Sequence, residues 1–374
     1  MELKKRIIAF ARLGEVLRKM PDGNLRKAIH TASQHNGWFT EENILLAFAS
    51  LGEMLREEKI RKWVSEYNIP PAPLQRGKEK RIGVIMAGNI PMVGFHDFLC
   101  VLMSGNIFVG KLSSEDEYLL PAVAKILMKI EPEFADKIHF ANKPINKSSD
   151  VSAFIATGSN NSARYFEYYF GKYPHIIRKN RNAIAILDGT ETEDDLKNLG
   201  KDIFQYFGLG CRNVSKIFIP QDYNLDKFFS AMADFGEVIN HNKYYNNYIY
   251  YRTIYLLNQE KFSDNNFLML KEEAPSNSPE GGEQIASPVA TLFYERYVDE
   301  KTLSRKLLLL QDKIQCIVSN RAIPSPCLPV LPVGRQAGTA LERVRVMPGQ
   351  TQSPELWDYA DGVDTMEFLL SVPA

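Results

Sequence analysis

Cys211 is the residue whose surroundings point most directly to chemistry. It stands in Phe207-Gly-Leu-Gly-Cys-Arg-Asn213, between a segment patterned as a helix and one patterned as a strand. Glycines at 208 and 210 let the backbone approach a bound molecule closely and let amide groups converge on one point. Arg212 supplies the kind of neighbouring cation that lowers a thiol's pKa and favours the nucleophilic thiolate. A buried structural cysteine between flexible glycines is the competing account.

Three loops add to it. Gly88-Asn-Ile-Pro91 follows an apolar strand and opens a helix. There the Asn89 amide either donates to a developing oxyanion or, with Pro91, only shapes the turn. Gly110-Lys111, at the tip of a second strand, suits a lysine reaching a cofactor's ribose or phosphate. Thr157-Gly158-Ser159 leaves amide groups at a helix start, a ready anion site. Taken singly, each of these loops is equally a solvated strand end. Together, three strand ends and one cysteine make the parts of a thiol-dependent dehydrogenase. There is no GxGxxG, GxxxxGK[ST] or GxSxG, so ordinary Rossmann, P-loop and serine-hydrolase readings lose support. The histidines at 30, 35, 96, 139, 175 and 241 show no HxxxH or Cys/His pairing, so no metal site is expected. His96 and His241 remain candidate proton donors, with packing near the Asn89 loop as the other account of His96.

The elements that must hold these residues can be read from composition and periodicity. A chain of 374 residues exceeds one ordinary core, so two domains are expected. Lys+Arg and Asp+Glu are both 45, a balance that leaves no basic footprint for nucleic acid. No apolar run is long enough to span a membrane. The start, Met-Glu-Leu-Lys-Lys-Arg, leads into an amphipathic segment and not an apolar signal block. Cys100, Cys211, Cys316 and Cys327 are too sparse for a disulfide framework, which points to a reducing cytoplasm.

Apolar residues recur near the 3.6 period through Ile7, Phe10, Leu13 and Leu17, and again through Ile44, Phe48, Leu51 and Leu55, so residues 1–65 are expected as helices. Asn68 to Pro73 marks a linker. Strands are expected at 81–87, 107–111, 153–156, 183–187 and 214–220, alternating with helices near 118–130, through Phe170, and at 225–238. That alternation predicts a parallel sheet covered on both faces. The tyrosine-rich stretch 241–262 reads as a strand pair packing as core; lining an acyl tunnel is the other account of Tyr244, Tyr245, Tyr248, Tyr250 and Tyr251. Residues 322–340 hold too many prolines and glycines for a helix or central strand and read as an irregular insert.

In Gly88-Asn-Ile-Pro-Met-Val-Gly-Phe-His-Asp97, Val109-Gly-Lys111, Ala156-Thr-Gly-Ser-Asn160, Gly208-Leu-Gly-Cys-Arg-Asn213 and Trp357-Asp-Tyr-Ala-Asp-Gly362, the chain resembles the aldehyde-dehydrogenase superfamily. The likeness is nearest to its acyl-CoA reductase (LuxC-type) branch, and the pieces keep the family's order over about residues 80–365. The resemblance implies an α/β, aldehyde-dehydrogenase-like fold. Its parts would be an N-terminal helical extension (1–75), a dinucleotide-binding domain (76–205), a catalytic α/β domain (206–348) carrying the insert, and a C-terminal return segment (349–374), with the active site in the cleft between the two domains. It also implies roles: Cys211 as the nucleophile forming a thioacyl-enzyme, Asn89 and the Cys211 amide as oxyanion donors, Lys111 as the adenosine-ribose contact, and Gly158 and Ser159 as the pyrophosphate-side loop.

One departure is informative. Where hydrolytic members carry a glutamate that activates water, the matching stretch Ile177-Arg-Lys-Asn-Arg-Asn-Ala-Ile-Ala-Ile186 has no acid. A thioester intermediate is then discharged by hydride or thiol exchange and not by water. The expected activity is therefore reduction of an acyl-CoA to an aldehyde with NADPH, or NADH. Reduction of an acyl phosphate and service as a non-catalytic subunit of an acyl-transfer complex are the alternatives. Partners would be an acyl thioester and a second copy of the chain or an acyl-transfer protein. Arg178, Lys179 and Arg181 either face CoA phosphates or form a solvated basic face.

Overall fold

The structure, a computed structural model, describes residues 1–19, 23–69, 79–143, 145, 150–273, 284–323 and 344–373. The chain divides into two compact units, Met1–Asn180 with Ser353–Ala374, and Arg181–Gln352.

The first unit opens with α1 (Leu3–Arg18), α2 (Gly23–His35), α3 (Glu41–Met54) and α4 (Glu57–Ser65), in the region where the apolar spacing predicts helices. Thr40 caps α3 by accepting the Asn43 N–H at 3.2 Å, and Glu41 and Glu42 occupy the first turn, where the helix end favours negative charge. Five parallel strands follow: β1 (Arg81–Ile85), β2 (Ile107–Lys111), β3 (Ile138–Phe140), β4 (Ala153–Thr157) and β5 (His175–Arg178), in the order β3-β2-β1-β4-β5. The intervening helices are α5 (Phe95–Met103), α6 (Leu119–Ile130) and α7 (Asn160–Phe170).

Period-2 alternation sorts the strand residues onto two faces. Ile82, Val84, Phe108, Ala153 and Ile155 join a large core with Phe10, Leu13, Phe48, Trp63 and Phe98 from the helices. Val109 and Phe154 turn the other way, where Phe154 stacks on Phe170 of α7 at 4.1 Å between ring centres. The C-terminal segment returns Leu356, Met366, Leu369 and Val372 to the large core.

The second unit holds a seven-stranded sheet. Its strands are β6 (Asn182–Ile186), β7 (Val214–Pro220), β8 (Phe262–Asp264), β9 (Met269–Glu272), β10 (Thr291–Tyr297), β11 (Ile314–Val318) and β12 (Arg345–Val346). The order is β12-β11-β6-β7-β10-β9-β8, parallel except for the β8–β9 pair. Helices α8 (Glu193–Phe204) and α9 (Leu225–Met232) cover one face through Leu196, Leu199, Ile203, Phe228 and Met232; α10 (Asn242–Leu257) follows them; and α11 (Glu300–Leu310) covers the other face through Leu303, Leu307 and Leu310.

Two differences from the sequence reading have physical causes. The strand expected at 183–187 is β6, which pairs with β7 and β11 and not with β4. The compact units accordingly divide at 180/181, whereas the sequence reading set its boundary at 205/206. The stretch 241–262, expected as a strand pair, is mostly the helix α10. Its Tyr244, Tyr248 and Tyr255 are buried while Tyr245 and Tyr250 are exposed, so the five tyrosines do not line one surface. Tyr244 donates to the Phe267 carbonyl at 3.0 Å, and Tyr248 and Arg252 both bond the Asp264 carboxylate. Most of the insert at 322–340, and most of the linker at 68–73, lies outside the described residues. No described helix is long and apolar enough to cross a membrane.

Candidate active-site residues

In the first unit the sequence-predicted residues collect at one edge. All five strands run parallel, so the segments after β1, β2 and β4 emerge at their shared carboxyl ends. Chain order reverses between β1 and β4, which makes that point a topological switch, the place where open α/β sheets take ligands. Asn89 is exposed in the turn after β1. Lys111 ends β2, half-buried and in register with Ile85, and its carbonyl accepts the Met86 N–H at 3.0 Å. Gly158 and Ser159 lie between β4 and α7.

Close packing explains both glycines in these turns. A side chain at Gly88 would come within 2.7 Å of Ser113 Cβ, so only glycine lets the turn after β1 lie against the loop after β2. A side chain at Gly158 would meet Ser162 Cβ at 2.9 Å and Phe166 at 3.0 Å, so glycine there admits close contact between β4 and α7. Ser159 caps α7, its Oγ accepting the Ser162 N–H at 3.2 Å. The edge thus offers a helix N-terminus, which favours anions, and, two strands across, a lysine at the end of β2.

A buried carboxylate pins the Asn89 turn. Met92 has φ 62°, in the left-handed region, and its N–H donates to Asp116 Oδ2 at 2.9 Å. Burial pushes the Asp116 carboxyl up to about 6, because removal from water disfavours the anion.

Other candidates are committed elsewhere. Arg178 is buried, 2.5 Å from Asp97 and 3.0 Å from Thr365 Oγ1, and neither faces solvent nor is placed to meet a phosphate. Lys179 is exposed and paired with Glu167 at 2.9 Å, and Arg181 donates to the Ile314 carbonyl at 3.3 Å. His96 Nε2 donates to the Leu356 carbonyl at 3.0 Å, and its Nδ1 lies 3.6 Å from Cys100 Sγ. This pair, one helical turn apart on α5, is a Cys/His pairing that the sequence scan did not register. Burial raises the Cys100 thiol's pKa, which favours the protonated thiol over the nucleophilic thiolate. His96 also packs against the rings of Trp63 and Tyr359. Among the described residues, no group of three or more His, Cys, Asp or Glu is arranged to hold a metal ion.

In the second unit, Cys211 is half-buried in the connection from α8 to β7. The approach to it is unusual: Tyr206, Phe207 and Gly208 have φ of 52°, 58° and 77° in succession. A non-glycine residue in that region costs about 1–3 kcal/mol and persists only when its surroundings over-determine it. Here they do. The side chain of Asn213, which is 0% exposed, accepts the Gly210 N–H through Oδ1 at 2.8 Å; its Nδ2 donates to the carbonyls of Asp202 and Gln205 at 2.9 and 2.8 Å. Phe207 stacks on His241 with ring centres 4.2 Å apart, so His241 adjoins the cysteine connection, and its Nδ1 also caps α10 at the Tyr244 N–H.

A second buried polar residue holds the end of α8. Asp202 is 1% exposed and accepts the Gly349 N–H at 2.6 Å, the Thr351 N–H at 3.0 Å and the Thr351 hydroxyl at 2.8 Å. Neither Asn213 nor Asp202 was singled out from the sequence. Only the placing of Asn213 two residues after the cysteine gave a signal.

No protein-family model matches the sequence, and no curated protein does. Solved structures do. Aldehyde dehydrogenase 21 from Physcomitrella patens, in complex with succinate, is similar over 86% of this chain and 74% of its own, with a TM-score of 0.62 and 13% identity. HpcC from Thermus thermophilus aligns over 85% and 70%, with a TM-score of 0.61 and 12% identity. A mutant aldehyde dehydrogenase C from Pseudomonas syringae, complexed with NAD+ and octanal, aligns over 80% and 69%, with a TM-score of 0.58 and 11% identity. The fold is that of the aldehyde dehydrogenases, a parallel dinucleotide-binding-type sheet and a second α/β unit.

Proposed function

We propose that the chain is an NAD(P)H-dependent reductase that converts an acyl-CoA thioester to an aldehyde through a thioacyl intermediate on Cys211. The observation that carries this reading is the half-buried thiol on a locked, strained connection in a chain with the aldehyde-dehydrogenase fold. In the proposed cycle the Cys211 thiolate attacks the thioester carbonyl carbon. The carbon–sulfur bond to CoA then breaks, and CoA departs as a thiolate that takes up a proton. The Cys211 backbone N–H donates to the oxyanion, the role that the family resemblance also gives to Asn89. A reduced nicotinamide, when bound, supplies hydride to the thioacyl carbon. The thiohemiacetal oxyanion on Cys211 would then collapse to aldehyde, its carbon–sulfur bond breaking to regenerate the thiolate.

Lys111, Gly158 and Ser159 would hold the cofactor, with NADPH preferred because the direction is reductive and NADH as the alternative. The stretch 177–186 supports reduction over hydrolysis, since its ionisable side chains are all basic and none can serve as a general base for water at neutral pH.

The test follows NADPH and NADH oxidation by purified protein with acyl-CoAs of several chain lengths and with acyl phosphates, for wild type and Cys211→Ala. Acyl-CoA-dependent oxidation is expected, and Cys211→Ala should lower it by about 10³-fold or more while leaving cofactor binding intact. Turnover with acyl phosphates alone would replace the thioester by a phosphate substrate. Absence of both turnover and nicotinamide binding would end the enzyme reading.

A further inference from the structure

We infer that Asn213 is a positioning residue for Cys211, holding the backbone that presents the thiol; the inference rests on the nucleophile reading above. The polar groups of Asn213 are all engaged. Its Oδ1 takes the N–H of Gly210, the residue immediately before the cysteine, and its Nδ2 reaches the carbonyls of Asp202 and Gln205, with a longer contact of 3.4 Å to that of Ile203. Its own N–H closes a turn on the Gly210 carbonyl at 3.0 Å, and its carbonyl accepts the Ala183 N–H at 3.1 Å beside the β6–β7 ladder. One residue therefore ties the end of α8, the cysteine turn and the central strands together.

The chemistry of this arrangement is specific to a carboxamide. The last carbonyls of a helix have no partners within the helix, and in a buried setting they need donors. Gly210 needs an acceptor at the same place. Among side chains of this size only an amide offers two donors and an acceptor at one site. Aspartate would keep the acceptor and set a negative charge against three carbonyl oxygens. Alanine would leave both sets unsatisfied, on either side of the left-handed Tyr206 and Phe207.

A purely structural asparagine would change stability alone, so the test separates the two roles. Steady-state kinetics with acyl-CoA and NADPH, the rate of Cys211 alkylation by iodoacetamide followed on its peptide by mass spectrometry, and Tm are measured for wild type, Asn213→Ala, Asn213→Asp and Val214→Ala. Val214 is the next residue, buried in the apolar core, and takes no part in the amide network through its side chain. Asn213→Ala and Asn213→Asp should lower kcat by about 10–100-fold, the cost of a misplaced reacting group, and change Cys211 alkylation by a similar factor. KM for both substrates should stay within about twofold. Val214→Ala should leave kcat and alkylation near wild type despite a lower Tm.

Asn213 variants that match Val214→Ala in kcat and alkylation would overturn the proposal while leaving the nucleophile reading intact. Retention of turnover by Cys211→Ala would instead sink the nucleophile reading, and alkylation would still decide the positioning role. Should Asn213→Ala and Asn213→Asp fail to fold, Asn213→Ser, which keeps an acceptor, is put through the same kcat and alkylation measurements: a lowered kcat with changed Cys211 alkylation supports the proposal, and values matching Val214→Ala overturn it.

Discussion

The carboxyl edge of the five-stranded sheet and the connection carrying Cys211 present their candidate residues in opposite ways. At the sheet edge, Asn89, Lys111, Gly158 and Ser159 stand where regular parallel strands stop, brought to one edge by the strand ladder, with Asp116 pinning the turn that carries Asn89. The side chains that matter there are exposed or half-buried, and the glycines serve close packing. Before Cys211 the backbone departs from ordinary conformations for three residues in succession, and the buried Asn213 side chain bonds on either side of them, while the buried Asp202 ties α8 to Gly349 and Thr351. A shared strand edge is a surface that any parallel sheet supplies. A strained connection must be held by particular partners, and such strain clusters where chemistry is done.

That contrast can be broken at several strengths. Asp202→Ala strikes the locked region and should have the largest effect on stability, about 3 kcal/mol in urea unfolding, because the buried Thr351 donors and the half-buried Gly349 N–H are left without an acceptor. An effect below about 1 kcal/mol would mean the end of α8 is not over-determined. Asp116→Asn tests the one locked element at the sheet edge. A carboxyl raised from 3.8 to about 6 binds its proton more tightly in the folded chain than in the unfolded one. Its stabilising contribution is therefore complete below about pH 3.8 and lost as pH rises through about 6. The asparagine variant should be more stable than wild type near neutral pH, by on the order of 1–3 kcal/mol, and the two should converge toward about pH 4. A pH-independent difference in Tm would remove burial as the cause. Lys111→Ala should change stability least, within about 0.5 kcal/mol, while weakening NADPH binding by about tenfold. A large Tm loss without a change in binding would make Lys111 a structural residue and erase the contrast.

Much of the fold could be read from the sequence because it is written locally. The apolar spacing of α1 and α3, the short apolar runs of β1, β2, β4 and β7, and the turn residues after β1, β2 and β4 each carry their own signal. Sheet membership does not. Nothing within Asn182–Ile186 says that it pairs with β7 and β11 and not with β4, since pairing is decided by residues far along the chain. In α10 the tyrosines fall on the exposed as well as the buried side, so no apolar stripe marks a helix, and β-propensity pointed the wrong way. At the site, the cysteine and its glycines were legible by type. Asn213 and Asp202 were not, because a polar residue that is buried by satisfying distant backbone groups looks, in sequence, like any surface polar residue.

The discontinuity of the first unit has a consequence for how the chain becomes folded as it is made. Leu356, Met366, Leu369 and Val372 complete a core begun by residues as early as Ile7, and Thr365 supplies a partner to the buried Arg178. A ribosome delivers those residues only after all of Arg181–Gln352 has emerged. The second unit has its whole sequence available first and can close on its own, while α1 to α7 wait with part of their apolar surface uncovered. The first unit, although most of it precedes Arg181, is the one whose completion waits for residues that follow Gln352.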